Sequence, residues 1–203
     1  MKRQLSETTS RNYDRRINLP VIRNIRAAED AVISRLFHER VQSTDSILEI
    51  GAGTGYYTLK FAAAANMVTA VDLSPAMVEH LRNKAKGQNL FNIKVITSDF
   101  LHYNDSTTYD WVIAVGVLEY PQDPWEFLNK LISFSNKWVL VTFPTQGIWG
   151  KTYRLTSHLR GSHVSLFTKS EIHDKYSSSI VHLEDVGLKS PVTRGLTLIC
   201  LLE

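Results

Sequence analysis

The residues best placed to do chemistry lie in ILEIGAGTGYYT, residues 47–58. Ile47, Leu48 and Ile50 form the short apolar run of a buried parallel strand, with Glu49 near its end. Gly51, Gly53 and Gly55 follow at alternate positions, and an apolar stretch with helical spacing comes next. The pattern predicts strand, tight glycine turn, helix. Glycines at such a turn admit positive φ and let a ligand approach the backbone. The helix start behind it offers N–H groups and a partial positive charge. Met67–Val71 reads as a second strand ending at Asp72, about 20 residues past the first glycine, where a carboxylate can accept hydrogen bonds from ribose hydroxyls. A turn with no ligand and a plain surface aspartate are the blander readings. Two features in the right order favour a nucleoside.

Which nucleoside depends on the departures from known patterns. A dinucleotide fingerprint wants a third glycine where this chain has Tyr56, and a phosphate-cradling loop wants Lys and Ser/Thr where it has Tyr56 and Tyr57. Glu49 followed by GAGTG instead resembles motif I of the class I S-adenosylmethionine (SAM)-dependent methyltransferases, matched through Glu49, Gly51, Gly53 and Gly55. The likeness runs from about Ile47 to Phe143, and GVLEYPQDPWEFLNKL is similar to the strand-four region of bacterial small-molecule methyltransferases. The resemblance implies SAM as donor and S-adenosylhomocysteine as product. Glu49 would hold the amino end of the donor, with Gly51, Ala52, Gly53 and Gly55 along its ribose and methionine part. Asp72 would take the ribose hydroxyls, and Asp99 and Phe100 the adenine. Leu73, Met77 and Val117 would supply apolar walls, and Val115 is a further cofactor-binding residue. After strand four the chain reads Val115-Gly116-Val117-Leu118-Glu119-Tyr120, without the diproline motif of adenine-N6 and glutamine-amide methyltransferases. Cys200 follows Ile199, not a proline, unlike the nucleophile of cytosine C5 enzymes.

A sulfonium is already an activated methyl donor, so the protein must mainly align an acceptor and exclude water. A hydroxyl acceptor also needs a base or metal to take its proton. His163, Glu119 and His158 are the candidate bases, with His163 favoured because it precedes the apolar VSLF run that returns to the fold. Tyr13, Arg154 and Arg160 are candidate substrate contacts, the arginines suiting an anionic group. The other histidines read as ordinary helix, loop or strand residues. No metal-ligand spacing is present, and no metal is predicted.

The elements that must position these groups alternate. Apolar periodicity predicts a helix over about 22–41, strands ending at Asp72, Thr97, Val117 and Phe143, and helices after Gly55, Ser74 and Pro124. The fold class is therefore α/β, a doubly wound, mostly parallel sheet with helices on both faces. Strands near Ile180–Val186 and Leu196–Leu202 are expected to close it as an antiparallel hairpin, and the resemblance implies seven strands with the last inserted antiparallel. A single domain over 1–203 is expected, with a basic segment and helix (1–43) covering the site and a cap insertion (145–167) over the substrate pocket.

Composition sets the outer bounds. With 43% hydrophobic and 21% charged residues the chain is of ordinary globular type. No apolar run reaches the roughly 18 residues of a membrane span, and the polar start suggests no secretion signal. One cysteine excludes an internal disulfide framework, so a cytoplasmic location is expected. The net charge of +3 is small, with Lys2, Arg3, Arg11, Arg15 and Arg16 near the start. These features favour methyl transfer to oxygen or nitrogen of a small metabolite, by a monomer or homodimer, with nucleic acid disfavoured. A nucleic-acid or protein methyltransferase using the basic N-terminal region is the alternative, and a SAM-binding protein without turnover a further one.

Overall fold

The computed structural model describes residues 20–146, 150, 151, 155, 163–186 and 197–203. Helix α1 (Pro20–His38) leads into strand β1 (Ser46–Ile50), α2 (Tyr56–Ala62), β2 (Met67–Asp72), α3 (Pro75–Gly87) and β3 (Ile93–Thr97). A 3₁₀ turn (Phe100–His102) precedes β4 (Tyr109–Ala114), α4 (Pro124–Ser133) and β5 (Ser135–Pro144). Helix α5 (Lys169–Tyr176), β6 (Ile180–Val186) and β7 (Thr197–Leu202) complete the described elements. The seven strands form one sheet in the order β3-β2-β1-β4-β5-β7-β6. The first five are parallel, and β7 runs antiparallel between β5 and β6. This is the expected α/β sheet with its antiparallel close. Strand order reverses between β1 and β4, and a crevice opens at the carboxyl ends of strands at such a point.

Both faces of the sheet are covered, as its unbroken apolar strands require. Trp111 and Ile113 of β4, Leu140 of β5, and Ile199 and Leu201 of β7 pack with Ile33, Leu36 and Phe37 of α1 and Phe61 of α2. Phe37 bridges the layers, 4.6 Å from Phe61 and 5.1 Å from Trp111 between ring centroids. The alternate residues, Val112, Ala114, Val139, Val141, Phe143, Leu198 and Cys200, pack on the other face with Phe127, Leu128 and Leu131 of α4 and Ile172 of α5. Among the described residues no helix is long and apolar enough to cross a membrane.

Capping sets several boundaries. The Ser74 hydroxyl accepts from Met77 N, with Pro75 at the first helical position of α3. The Asp123 carboxylate accepts from the N–H groups of Trp125 and Glu126 and starts α4. Thr168 and Glu171 close a reciprocal capping box on α5.

Two elements end earlier than periodicity suggests. Helix α2 stops at Ala62 rather than running through the alanines to 65. The Asn92 side chain donates to the carbonyls of Ala62 and Ala65, at 2.8 and 3.1 Å, and satisfies the orphan acceptors there. Strand β4 ends at Ala114 rather than Val117. Gly116 takes φ +67°, and its N–H donates to Thr142 Oγ1 at 2.8 Å, which lifts the chain out of the ladder.

Beneath β1, at the opposite end of the sheet, Asp45 is 1% exposed. Its carboxylate accepts from Gln42 N (2.9 Å), Trp111 Nε1 (3.0 Å) and Lys137 Nζ (2.7 Å). It ties the loop before β1 to β4 and β5.

Candidate active site

The glycine turn sits at the carboxyl end of β1 and is held by its neighbours. Gly51, Gly53 and Gly55 have φ of +74°, +55° and +84°, values that side chains with a Cβ rarely adopt. Their surroundings differ. A Cβ on Gly51 would lie 2.4 Å from Val117 Cγ2, and one on Gly55 would lie 2.2 Å from Leu81 Cδ1. These two glycines let the turn pack against the β4 end and against α3. A Cβ on Gly53 would meet nothing closer than the Gly51 carbonyl oxygen at 4.0 Å. Gly53 is thus the glycine of the motif that faces open space.

Asp72, at the end of β2, reaches the same turn. Its Oδ2 accepts from Gly53 N at 2.8 Å and its Oδ1 from Ser74 N at 2.8 Å. Burial raises its pKa, and the two N–H groups oppose that rise. Each carboxylate oxygen has a second lone-pair direction beyond its backbone donor. Leu73, the next residue, is 52% exposed.

Glu49 lies under the turn, 4% exposed, with Thr58 Oγ1 donating to its Oε2 at 2.5 Å. Burial pushes its pKa up to about 8; the Thr58 hydroxyl opposes this and the Asp72 charge adds to it. A neutral carboxyl here is what a buried acid adopts with no cation opposite it.

The β4 end supplies the other wall. Val115 packs with the α1–α2 side of the sheet, while Val117 packs with the α4 side and stands against Gly51. Glu119 follows at 8% exposure. Its backbone carbonyl accepts from Ser165 N at 2.9 Å, and the Ser165 hydroxyl lies 3.1 Å from His163 Nε2. The structure therefore brings two of the predicted base candidates, Glu119 and His163, into one hydrogen-bonded segment. His163 is exposed, whereas the Glu119 carboxyl is enclosed and burial raises its pKa to about 7. His158, Tyr13, Arg154 and Arg160 lie outside the described residues.

Helix α1 also reaches this end of the sheet. The Arg26 guanidinium sits 4.8 Å from the centroid of the Tyr56 ring, Lys60 pairs with Asp30 at 2.5 Å, and the Thr197 hydroxyl donates to Glu29. Glu29 and the Glu49–Thr58 bond were not singled out in the sequence. A glutamate on an amphipathic helix and a threonine in a second turn carry no local signal.

Two of the predicted donor contacts have enclosed side chains. Phe100 is 4% exposed, with its ring 4.8 Å from Phe127 and 6.0 Å from Phe134, so it packs with the core. Met77 is equally buried. Ala52 packs with Ala70 and Leu81, which leaves only its backbone at the turn. Asp99 is half-buried, and its Oδ1 accepts from Leu101 N at 3.2 Å as the cap of the 3₁₀ turn. Among the described residues no group of three His, Cys, Asp or Glu side chains is arranged to hold a metal ion.

Comparison with known proteins places this geometry. Residues 47–135 match a family model described as a methyltransferase domain. Over that segment the chain is similar to methyltransferases. The chain is 32% identical over 100 residues to a probable (S)-tetrahydroprotoberberine N-methyltransferase of Papaver bracteatum, covering 47% of this chain and 28% of that protein. It is 39% identical over 75 residues to a mitochondrial ribosomal RNA small subunit methyltransferase of Arabidopsis thaliana, covering 36% of this chain and 20% of that one. The chain thus spans less than a third of the length of these curated relatives. Its fold is similar to that of magnesium protoporphyrin IX methyltransferase from Synechocystis PCC 6803 with bound S-adenosylhomocysteine. That likeness has a TM-score of 0.74 at 19% identity and covers 97% of this chain and 96% of that one. The glycine turn, Glu49, Asp72 and the β4 end all fall inside the matched methyltransferase domain.

Proposed function

We propose that this domain transfers the methyl group of SAM to an oxygen or nitrogen of a small metabolite. The observation that carries the reading is the meeting of Gly53 N and Asp72 Oδ2 at 2.8 Å beside the open space over Gly53. A carboxylate fixed at the end of β2 against a glycine turn at the end of β1 suits a ribose diol, because it presents acceptors and no side chain intrudes. The residues fit the donor in charge as well. Glu49, protonated when alone, becomes a carboxylate once an ammonium such as the donor's amino group lies opposite.

SAM supplies an activated methyl group; the chain's own residues do the rest. Asp72 and the glycine turn hold the nucleoside, Glu49 supports the amino end, and Leu73 and Val117 border the space with apolar surface. Asp99 is proposed to face the adenine amino group, while Phe100 supports that loop from the core. The β4 end and residues 163–165 then shield the acceptor and hold the base. Positioning of this kind can supply several powers of ten in rate. A small-molecule acceptor is favoured because the β4 end carries Val115–Tyr120 in place of the diproline motif expected for adenine N6. The N-methyltransferase relative and the fold of a porphyrin methyltransferase support the same reading.

The test is incubation of the protein with methyl-labelled SAM and an extract of the source cells, followed by mass spectrometry. Label in a low-molecular-weight product supports the proposal. Label only in RNA or protein, or no label at all, contradicts it.

A further inference from the structure

The Glu119 carboxyl is more than nine-tenths buried, and its Oε2 has no hydrogen-bond partner among the described residues. A buried carboxyl oxygen without a donor is costly unless a ligand supplies one. The charges around it do not supply one. Glu29 of α1 is of the same sign and makes ionisation of Glu119 harder. Arg26 partly offsets Glu29, but its guanidinium lies over the Tyr56 ring. Lys60 is paired with Asp30, and His163 is hydrogen-bonded to Ser165. Tyr57 is buried, and burial followed by Glu29 and Asp30 keeps its phenol protonated. Among the described residues, what this end of the crevice lacks is an unengaged cation bearing N–H groups.

Resting on the methyl-transfer reading above, we infer that the acceptor is a small cationic amine and that Glu119 receives its ammonium and removes the proton. An arriving ammonium gives the Glu119 carboxylate both a counter-charge and a donor, the arrangement that makes a buried ion pair tolerable. A neutral alcohol brings no counter-charge to the Glu119 carboxylate, and a carboxylate or phosphate adds a further charge of the same sign beside Glu29. The chemistry balances. The ammonium passes one proton to Glu119, and the freed nitrogen lone pair forms the new N–C bond to the donor methyl. The C–S bond breaks, its electron pair returns to sulfur as a neutral thioether, and the positive charge ends on the methylated nitrogen. Glu119 stands two residues beyond Val117, which touches Gly51, so the base belongs to the same chain segment that borders the donor site.

The test uses benzylamine, benzyl alcohol and benzoate as probes, titrated near neutral pH into protein saturated with S-adenosylhomocysteine. Benzylamine is expected to bind at least about tenfold more tightly than either isostere, the margin of one well-formed charge-assisted contact. In E119Q that preference should disappear while S-adenosylhomocysteine affinity stays unchanged. Methyl transfer to benzylamine should fall by roughly 10²–10⁴-fold in kcat. Equal binding of the three probes, preference for the alcohol or the acid, absence of benzylamine binding, or an E119Q variant that keeps the preference each overturns the inference. The selectivity of the unmodified protein is informative even if E119Q misfolds. Failure of the underlying methyl-transfer reading looks different, because S-adenosylhomocysteine would then not bind the unmodified protein.

Discussion

Replacing each motif glycine with alanine separates packing from ligand binding. All three positions have positive φ, so each substitution carries a backbone penalty of roughly 1–2 kcal/mol. At Gly51 the new methyl would lie 2.4 Å from Val117 Cγ2, and at Gly55 2.2 Å from Leu81 Cδ1. Overpacking adds about 1–3 kcal/mol at those two sites. At Gly53 the new methyl would meet only the Gly51 carbonyl oxygen, at an ordinary 4.0 Å, so Gly53→Ala should cost the backbone penalty alone. Its methyl would instead occupy the space assigned to the donor. Overpacking of about 1–3 kcal/mol there, at about 1.4 kcal/mol per tenfold, weakens S-adenosylhomocysteine by roughly 5- to 150-fold. Urea denaturation gives the stabilities and calorimetry the affinities. The expected order is Gly53→Ala as the most stable of the three and the one with the largest loss of affinity relative to its loss of stability. If Gly53→Ala is as unstable as Gly51→Ala yet binds S-adenosylhomocysteine like the parent, the division of labour among the glycines is wrong.

Glu49 makes donor binding pH-dependent. Its pKa of about 8 against an ordinary 4.5 means the folded protein holds a proton that the unfolded chain loses, so its contribution to stability falls as pH rises through that window. A ligand ammonium reverses the preference, so binding should release close to one proton between those pH values and none above them. Calorimetry in buffers of different ionisation heat measures this, and a binding heat independent of buffer would refute the pairing. Asp45→Ala should strand the buried Trp111 indole N–H and cost about 1–3 kcal/mol in urea denaturation. Lys137→Ala should cost less because the ammonium is partly solvated; equal losses would show that the ion pair, not the indole bond, holds the corner.

The parts legible in the sequence were those governed by local rules. Ile93–Thr97 has the boundaries that its apolar run suggested, and β2 ends at Asp72 as expected, because the strand-to-helix turn at Asp72–Pro75 is written in cap residues. The turn at 51–55 was legible because few residues other than glycine tolerate its dihedrals. Long-range contacts were not legible. The side chain of Asn92 shortens α2 from 30 positions away, and that of Thr142 draws Gly116 off β4 from 26 positions away. The family resemblance implied an adenine contact at Phe100, but not that Phe127 and Phe134, from α4 and the residue after it, pack around its ring. Glu119 was legible as a candidate base, but its missing partner and the nearness of Glu29 emerge only once α1 packs on the sheet.

The central claim is that a nucleoside lies between the glycine turn and Asp72. Its most direct test is a calorimetric titration of S-adenosylhomocysteine into the protein and into Asp72→Ala. A single site on the parent, weakened at least about tenfold when the carboxylate is removed, is the predicted result. No binding to the parent, or an affinity unchanged in Asp72→Ala, contradicts it.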